Sequence, residues 1–181
     1  MDKLHVVKFG GGLLTDDKSL TTALSSFHKL EGLKLLVHGG GSQATELCER
    51  LGVPTKMHDG RRITDDDALD AAIMVYAGLT NKRIVAKLQA MGSNAIGLSG
   101  ADANLIRAEK RIVKDIDYGW AGDIEEINTS KLTSLLAMDL SLVFCAITHD
   151  KKGQLLNTNA DTIAASLAVA LANDFDVNLH Y

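Results

Sequence analysis

Apolar residues along this chain fall into two spacings. Short continuous apolar runs, read as strands, occupy 4–8, 34–37, 94–98, 105–113, 141–147 and 176–181. Between them the apolar positions recur every three or four residues. Leu20, Leu24, Phe27 and Leu30 follow Thr15, Asp16 and Asp17, residue types that cap helices. Ser42 is placed to cap a helix with Ala44, Leu47, Cys48 and Leu51 on its apolar face. Thr64 and the acidic run after it open a longer pattern through Leu69, Ala72, Ile73 and Tyr76, which Ile84, Val85 and Leu88 continue beyond Gly78. Two further helices are marked by Leu132, Leu135 and Leu136, and by Ile163, Leu167, Ala170 and Leu171. Strands alternating with helices predict an α/β fold with a mainly parallel sheet covered on both faces. Segments 105–113 and 116–126 are rich in turn residues and carry an aromatic pair, Tyr118 and Trp120, read as exposed; they predict a β-hairpin or lid beside the sheet.

Composition narrows the functional classes. The 181 residues carry a formal charge of −4, with basic residues scattered, which argues against a nucleic-acid partner. No apolar run approaches the ~18 residues of a membrane span, and no signal segment opens the chain, so the expectation is a cytoplasmic protein. Cys48 and Cys145 lack metal or redox spacing and read as buried core thiols. His5, His28, His58, His149 and His180 form no metal-ligand pattern, so no metal site is expected.

The chemistry concentrates in two glycine triplets, each directly after a strand: Lys8-Phe9-Gly10-Gly11-Gly12 and His38-Gly39-Gly40-Gly41. Glycine permits positive φ and lets a ligand approach bare amides, and a helix starting there adds the positive end of its dipole. Lys8 can neutralise charge on a transferring phosphoryl group. The run 39–44 also fits G-x-G-x-x-A, with Asp59 near a ribose ligand's distance, which keeps a nicotinamide-binding protein open as a weaker reading. His38 reads as a brace for its loop. Asp59-Gly60-Arg61-Arg62 sets two guanidiniums on a turn, of which one is expected to grip a carboxylate. Asn157, Asn159 and Asp161 make an unusually polar entry to an apolar helix, more than capping alone explains; Asp161 can orient a lysine or sit near a metal-bound phosphate. Gly97-Leu98-Ser99-Gly100-Ala101-Asp102 is a strand-end turn open to either turn chemistry or catalysis.

As a set, Lys8-Phe9-Gly10-Gly11, His38-Gly39-Gly40-Gly41, Gly60-Arg61-Arg62-Ile63-Thr64 and Asn157-Thr158-Asn159-Ala160-Asp161 resemble the acetylglutamate kinases of the amino acid kinase family. Asn81-Lys82 and the hairpin Asp117-Tyr118-Gly119-Trp120-Ala121-Gly122 agree in order and spacing. The resemblance implies a three-layer αβα sandwich that forms a homodimer. It implies phosphorylation of the γ-carboxylate of N-acetyl-L-glutamate by ATP with Mg2+ in arginine biosynthesis. By matched positions, Lys8 stabilises the phosphoryl transition state and Asp161 holds the catalytic lysines. Gly40, Gly41, Arg62 and Asn157 bind the acyl amino acid, and Gly10, Gly11 and Asn159 belong to the phosphate loops. The expected division is an N-acylglutamate-binding and dimerisation domain over 1–175 and the start of a truncated nucleotide-binding domain over 176–181, so that turnover of ATP is expected to be impaired. An N-succinylglutamate kinase and a non-catalytic acylamino-acid-binding or dimerisation module are the alternatives.

Overall fold

A computed structural model describes residues 1–58 and 61–181, Arg61 by its backbone alone. In chain order the elements are β1 (Lys3–Phe9), α1 (Gly11–Thr15), α2 (Asp17–His28), β2 (Leu33–His38), α3 (Gly41–Leu51), β3 (Lys56–His58), β4 (Arg61–Ile63) and α4 (Asp66–Ile73). A π-helical turn, Met74–Thr80, carries α4 into α5 (Asn81–Ala90). Then follow β5 (Ala95–Leu98), β6 (Ile106–Lys110), β7 (Ala121–Ile127), α6 (Thr129–Leu136), β8 (Ser141–Cys145), β9 (Ile147–His149), β10 (Leu155–Thr158), α7 (Ala160–Leu171) and β11 (Asp176–His180).

The main sheet runs β11-β1-β2-β8-β5, and every pairing in it is parallel. Its strands are apolar on both sides, so alternate residues feed two cores. Leu35, Val37, Leu142 and Phe144 face one side and pack with Leu132 and Leu136 of α6 and with Ile163, Leu167 and Leu171 of α7. Leu36 and Val143 face the other and meet Leu20, Leu24 and Phe27 of α2 and Ile84 and Leu88 of α5. This is the three-layer sandwich.

A second, smaller sheet sits beside the first. Strands β6 and β7 form an antiparallel hairpin, β7 pairs with β10 in parallel, and β10 pairs antiparallel with β9. A single pairing of Arg107 with His149 closes the ring. The apolar run 141–147, read as one strand, splits at Ala146, so that β8 stays in the main sheet while β9 enters the small one. The run 105–113 shortens to β6, with Arg111 bonded from its amide to the Ala121 carbonyl at 2.8 Å.

Asp16 and Asp65, from the polar runs expected to open α2 and α4, are their N-caps, each accepting a first-turn amide. Other local expectations are corrected. Ser42 lies inside α3 and caps nothing; Gly40 takes the cap position with no side chain closing it. Leu51 is 58% exposed. Tyr118 is buried, because Thr64 is wedged against its turn: the Thr64 amide donates to the Tyr118 carbonyl at 3.0 Å and the Trp120 amide to the Thr64 carbonyl at 2.7 Å. Gly119, at φ +64, leaves no room there for a side chain, since a Cβ would lie 2.1 Å from the Thr64 carbonyl oxygen.

Candidate active site

Strands β1 and β2 pair through Lys8 with Val37 and Phe9 with His38, so both glycine loops leave one carboxyl edge of the sheet. That is the edge where open α/β sheets place ligands. The loops face each other: a Cβ on Gly11 would sit 3.9 Å from the Ser42 Oγ. Two hollows open there and share Gly39–Ser42, Asn159 and Ala160. One, of about 540 Å3, is lined by Lys8, Gly11, Gly12 and Asp161 besides the shared residues. The other, of about 450 Å3, adds Thr45, Arg62, Tyr76, Tyr118 and Asn157.

In the first hollow the Lys8 Nζ pairs with the Asp161 Oδ1 at 2.7 Å. The lysine is four-fifths buried, with side-chain exposure of 18% against 52% for the aspartate. Asp161 stands in the first turn of α7, where Asn159 caps the helix by accepting the Thr162 amide at 2.9 Å. Gly11 and Gly12 line this hollow, whereas Gly10 caps α1 from an extended conformation. The result is one cation held against a glycine wall, an arrangement that favours an anionic group.

Only one residue of the two triplets uses positive φ, namely Gly40 at +154°. A Cβ there would lie 2.8 Å from the Tyr76 Cδ1, so glycine is required twice over. With Gly40 as an open cap, the first-turn amides of α3 have no intrahelical acceptor, and the dipole of an 11-residue helix adds to them. Gly41 and Ser42, in that first turn, line both hollows.

Arg62 closes the second hollow. Its Nη2 donates to the Gly41 carbonyl at 3.0 Å and to the Thr45 Oγ1 at 2.7 Å, and its Nη1 donates to the Thr55 Oγ1 at 3.3 Å. Among the described residues no carboxylate pairs with it, so a guanidinium oriented by neutral groups is available to an incoming carboxylate. Asn157 is held from both ends, its side-chain amide donating to the Thr64 Oγ1 at 3.1 Å and its backbone amide to the Trp120 carbonyl at 2.9 Å. Asp59 and Gly60, and with them the ribose and turn readings, lie outside the described residues, as does the Arg61 side chain.

Behind the loop His38 is fully buried. The Asn81 Nδ2 donates to its Nε2 at 3.1 Å, which leaves Nδ1 to donate to the Gly39 carbonyl at 2.8 Å. Burial lowers its pKa to about 4, and the neutral ring serves as a brace. Asp102 accepts from the Ser99 amide and hydroxyl, ordinary turn chemistry at the end of β5. Tyr76, read from the sequence only as part of a helix face, also belongs to this region, as do Thr64 and Gly122, which stood in the quoted motifs without a role in the site. At Gly122 a Cβ would press 2.5 Å from the Thr158 Oγ1.

Comparison with known proteins gives the family. The model of the amino acid kinase family matches residues 3–174. An acetylglutamate kinase of Phocaeicola vulgatus is 53% identical over 180 residues, covering 99% of this chain and 70% of the relative. That of Parabacteroides distasonis is 50% identical over 181 residues, covering 100% and 71%. Among solved structures, the smu.665 protein of Streptococcus mutans UA159 superposes with a TM-score of 0.82 at 26% identity, over 93% of this chain and 69% of that one. The N-acetylglutamate synthase of Neisseria gonorrhoeae, solved with coenzyme A and N-acetyl-glutamate, shares the fold at a TM-score of 0.79 and 24% identity, over 94% and 39%. The chain belongs to the amino acid kinase family, on its acetylglutamate kinase branch.

Proposed function

We propose that the chain phosphorylates the γ-carboxylate of N-acetyl-L-glutamate in arginine biosynthesis, with magnesium-complexed ATP as the second substrate. The observation that carries this reading is the pair of adjoining hollows: Lys8 lines one, Arg62 lines the other, and Gly40 and Gly41 line both. N-acetyl-L-glutamate carries two carboxylates, at opposite ends of its carbon chain; Lys8 lines one hollow and Arg62 the other, while Arg111, also in the lining of the second, is paired with Asp123. Arg62 grips the α-carboxylate. The glycine amides and Asn157 hold the acyl amide and the reacting side chain.

Transfer then needs no covalent protein intermediate. A γ-carboxylate oxygen forms a bond to the γ-phosphorus as the bond from that phosphorus to the bridging oxygen breaks, and ADP leaves with the electron pair. Lys8 supplies positive charge where the transferring group spreads its negative charge, and Asp161 keeps the ammonium in place. Gly11, Gly12 and Asn159 keep the phosphoryl side open, with Gly10 starting the turn. Residues 1–175 form the N-acylglutamate-binding and dimerisation unit in this reading, and the protein works as a cytoplasmic homodimer. Among the described residues no helix is long and apolar enough to cross a membrane.

Calorimetric titration tests the binding half directly. N-acetyl-L-glutamate is expected to bind with a Kd within about 1 μM to 1 mM, the usual range for metabolic enzymes, and free glutamate at least about tenfold more weakly. N-succinyl-L-glutamate, titrated alongside, ranks the acyl groups. No heat of binding for any N-acylglutamate at millimolar concentration overturns the proposal.

A further inference from the structure

Tyr76 sits in a place that an ordinary amphipathic helix would not give it. The buried residues Val75 and Tyr76 are followed by buried Thr80 and Asn81, five positions later. In an α-helix, residues five apart point about 140° away from each other. The π-helical turn Met74–Thr80 removes that mismatch, with the Asn81 amide reaching back to the Tyr76 carbonyl. One face of the helix thereby touches the second glycine loop at three points. The Tyr76 ring lies under Gly40, the Thr80 hydroxyl donates to the Gln43 Oε1 at 2.6 Å, and Asn81 holds His38.

We propose that Tyr76 is a positioning residue of this site, its ring fixing the Gly40 backbone so that the amides face the cleft and its hydroxyl orienting the Arg62 guanidinium. The proposal rests on the acylglutamate reading above and adds to it a residue that lines the hollow beside Arg62, away from the reacting atoms. Tyr76 is only 5% exposed, yet it lines the same hollow as Arg62, with its hydroxyl 3.9 Å from a Cβ placed on Gly41. Burial raises the phenol pKa above its ordinary value, and the facing Arg62 guanidinium offsets part of that rise. A core aromatic with only a packing role would be served as well by phenylalanine, because nothing in packing asks for a hydroxyl at the wall of a cavity.

The test is a double-mutant cycle on the whole chain, with the Kd for N-acetyl-L-glutamate read by calorimetry. Tyr76→Phe keeps the ring and is expected to weaken binding about fivefold to tenfold, the scale of one ordinary hydrogen bond. Its Tm is expected to stay within about 2 °C of the parent, as for a change that leaves packing intact. In an Arg62→Ala background the same substitution is expected to have no further effect, because the hydroxyl acts through the guanidinium. Tyr76→Leu removes the ring and is expected to weaken binding in both backgrounds. Equal affinity of Tyr76→Phe and parent, or an equal loss in both backgrounds, overturns the positioning role while the acylglutamate reading stands. Failure of the parent chain to bind overturns both.

Discussion

Gly40 shows how two constraints converge on one position. Its φ of +154° strains any L side chain, and a Cβ would press into the Tyr76 ring. Gly40→Ala is therefore expected to destabilise the protein by about 1–3 kcal/mol and to weaken acylglutamate binding. Gly12→Ala, where a Cβ meets nothing within 4 Å, is expected to leave stability within about 1 kcal/mol of the parent. Urea unfolding of the two variants checks the contrast, and equal losses would count against the assigned geometry. Arg62→Ala is expected to raise the Kd for N-acetyl-L-glutamate about tenfold to a hundredfold, with Arg62→Lys recovering little because an ammonium lacks the planar fork. Calorimetry decides this, and an unchanged Kd removes Arg62 from the site. The candidacy of these residues was legible in the sequence because a lysine and an arginine stand beside glycine-rich strand ends and turns. The role of Tyr76 was not, since an apolar ring at helical spacing looks like any core residue.

At the scale of elements, His38 couples β2 to α5 through Asn81 and couples both to the Gly39 carbonyl. Its folded pKa of about 4 lies below the ordinary 6.5. Between those values the unfolded chain binds more protons than the folded one. Stability is thus full above about pH 6.5 and falls as the pH drops toward 4. This residue alone is expected to cost about 2 kcal/mol between pH 7 and pH 5. Denaturant unfolding at the two pH values measures the loss, and His38→Gln is expected to flatten it; a slope unaffected by that substitution would remove His38 as its source. The same scale shows where the periodicities read along the chain ran out. Continuous apolar runs and the 3.6 period found the parallel strands and most helices, but a π turn has neither mark, and only the five-residue step from Tyr76 to Asn81 shows it. The strand break at Ala146 was hidden by uniformly apolar side chains on either side. Tyr118 was misread because its burial comes from Thr64, more than fifty residues away, which no local window contains.

For the molecule as a whole, the parallel sheet does the placing. Both catalytic-edge loops come from neighbouring strands, and the polar segment before α7 is delivered to the same edge from the far end of the chain. The layered fold could be read from alternation alone. The wall of the second hollow could not, because it depends on the small second sheet bringing Asn157 opposite Thr64. A sizing column with light scattering is expected to report twice the 19.4 kDa chain mass, and a single-chain mass at tens of micromolar would contradict the homodimer. The central claim is that one cleft holds an acidic acyl amino acid between peptide amides and cations. Nitrogen-15 NMR during titration with N-acetyl-L-glutamate tests it most directly. Saturable shifts of the Gly40 and Gly41 amides, lost in Arg62→Ala at the same ligand concentrations, are the predicted result. Binding that leaves those two amides unmoved while shifting residues elsewhere would contradict it.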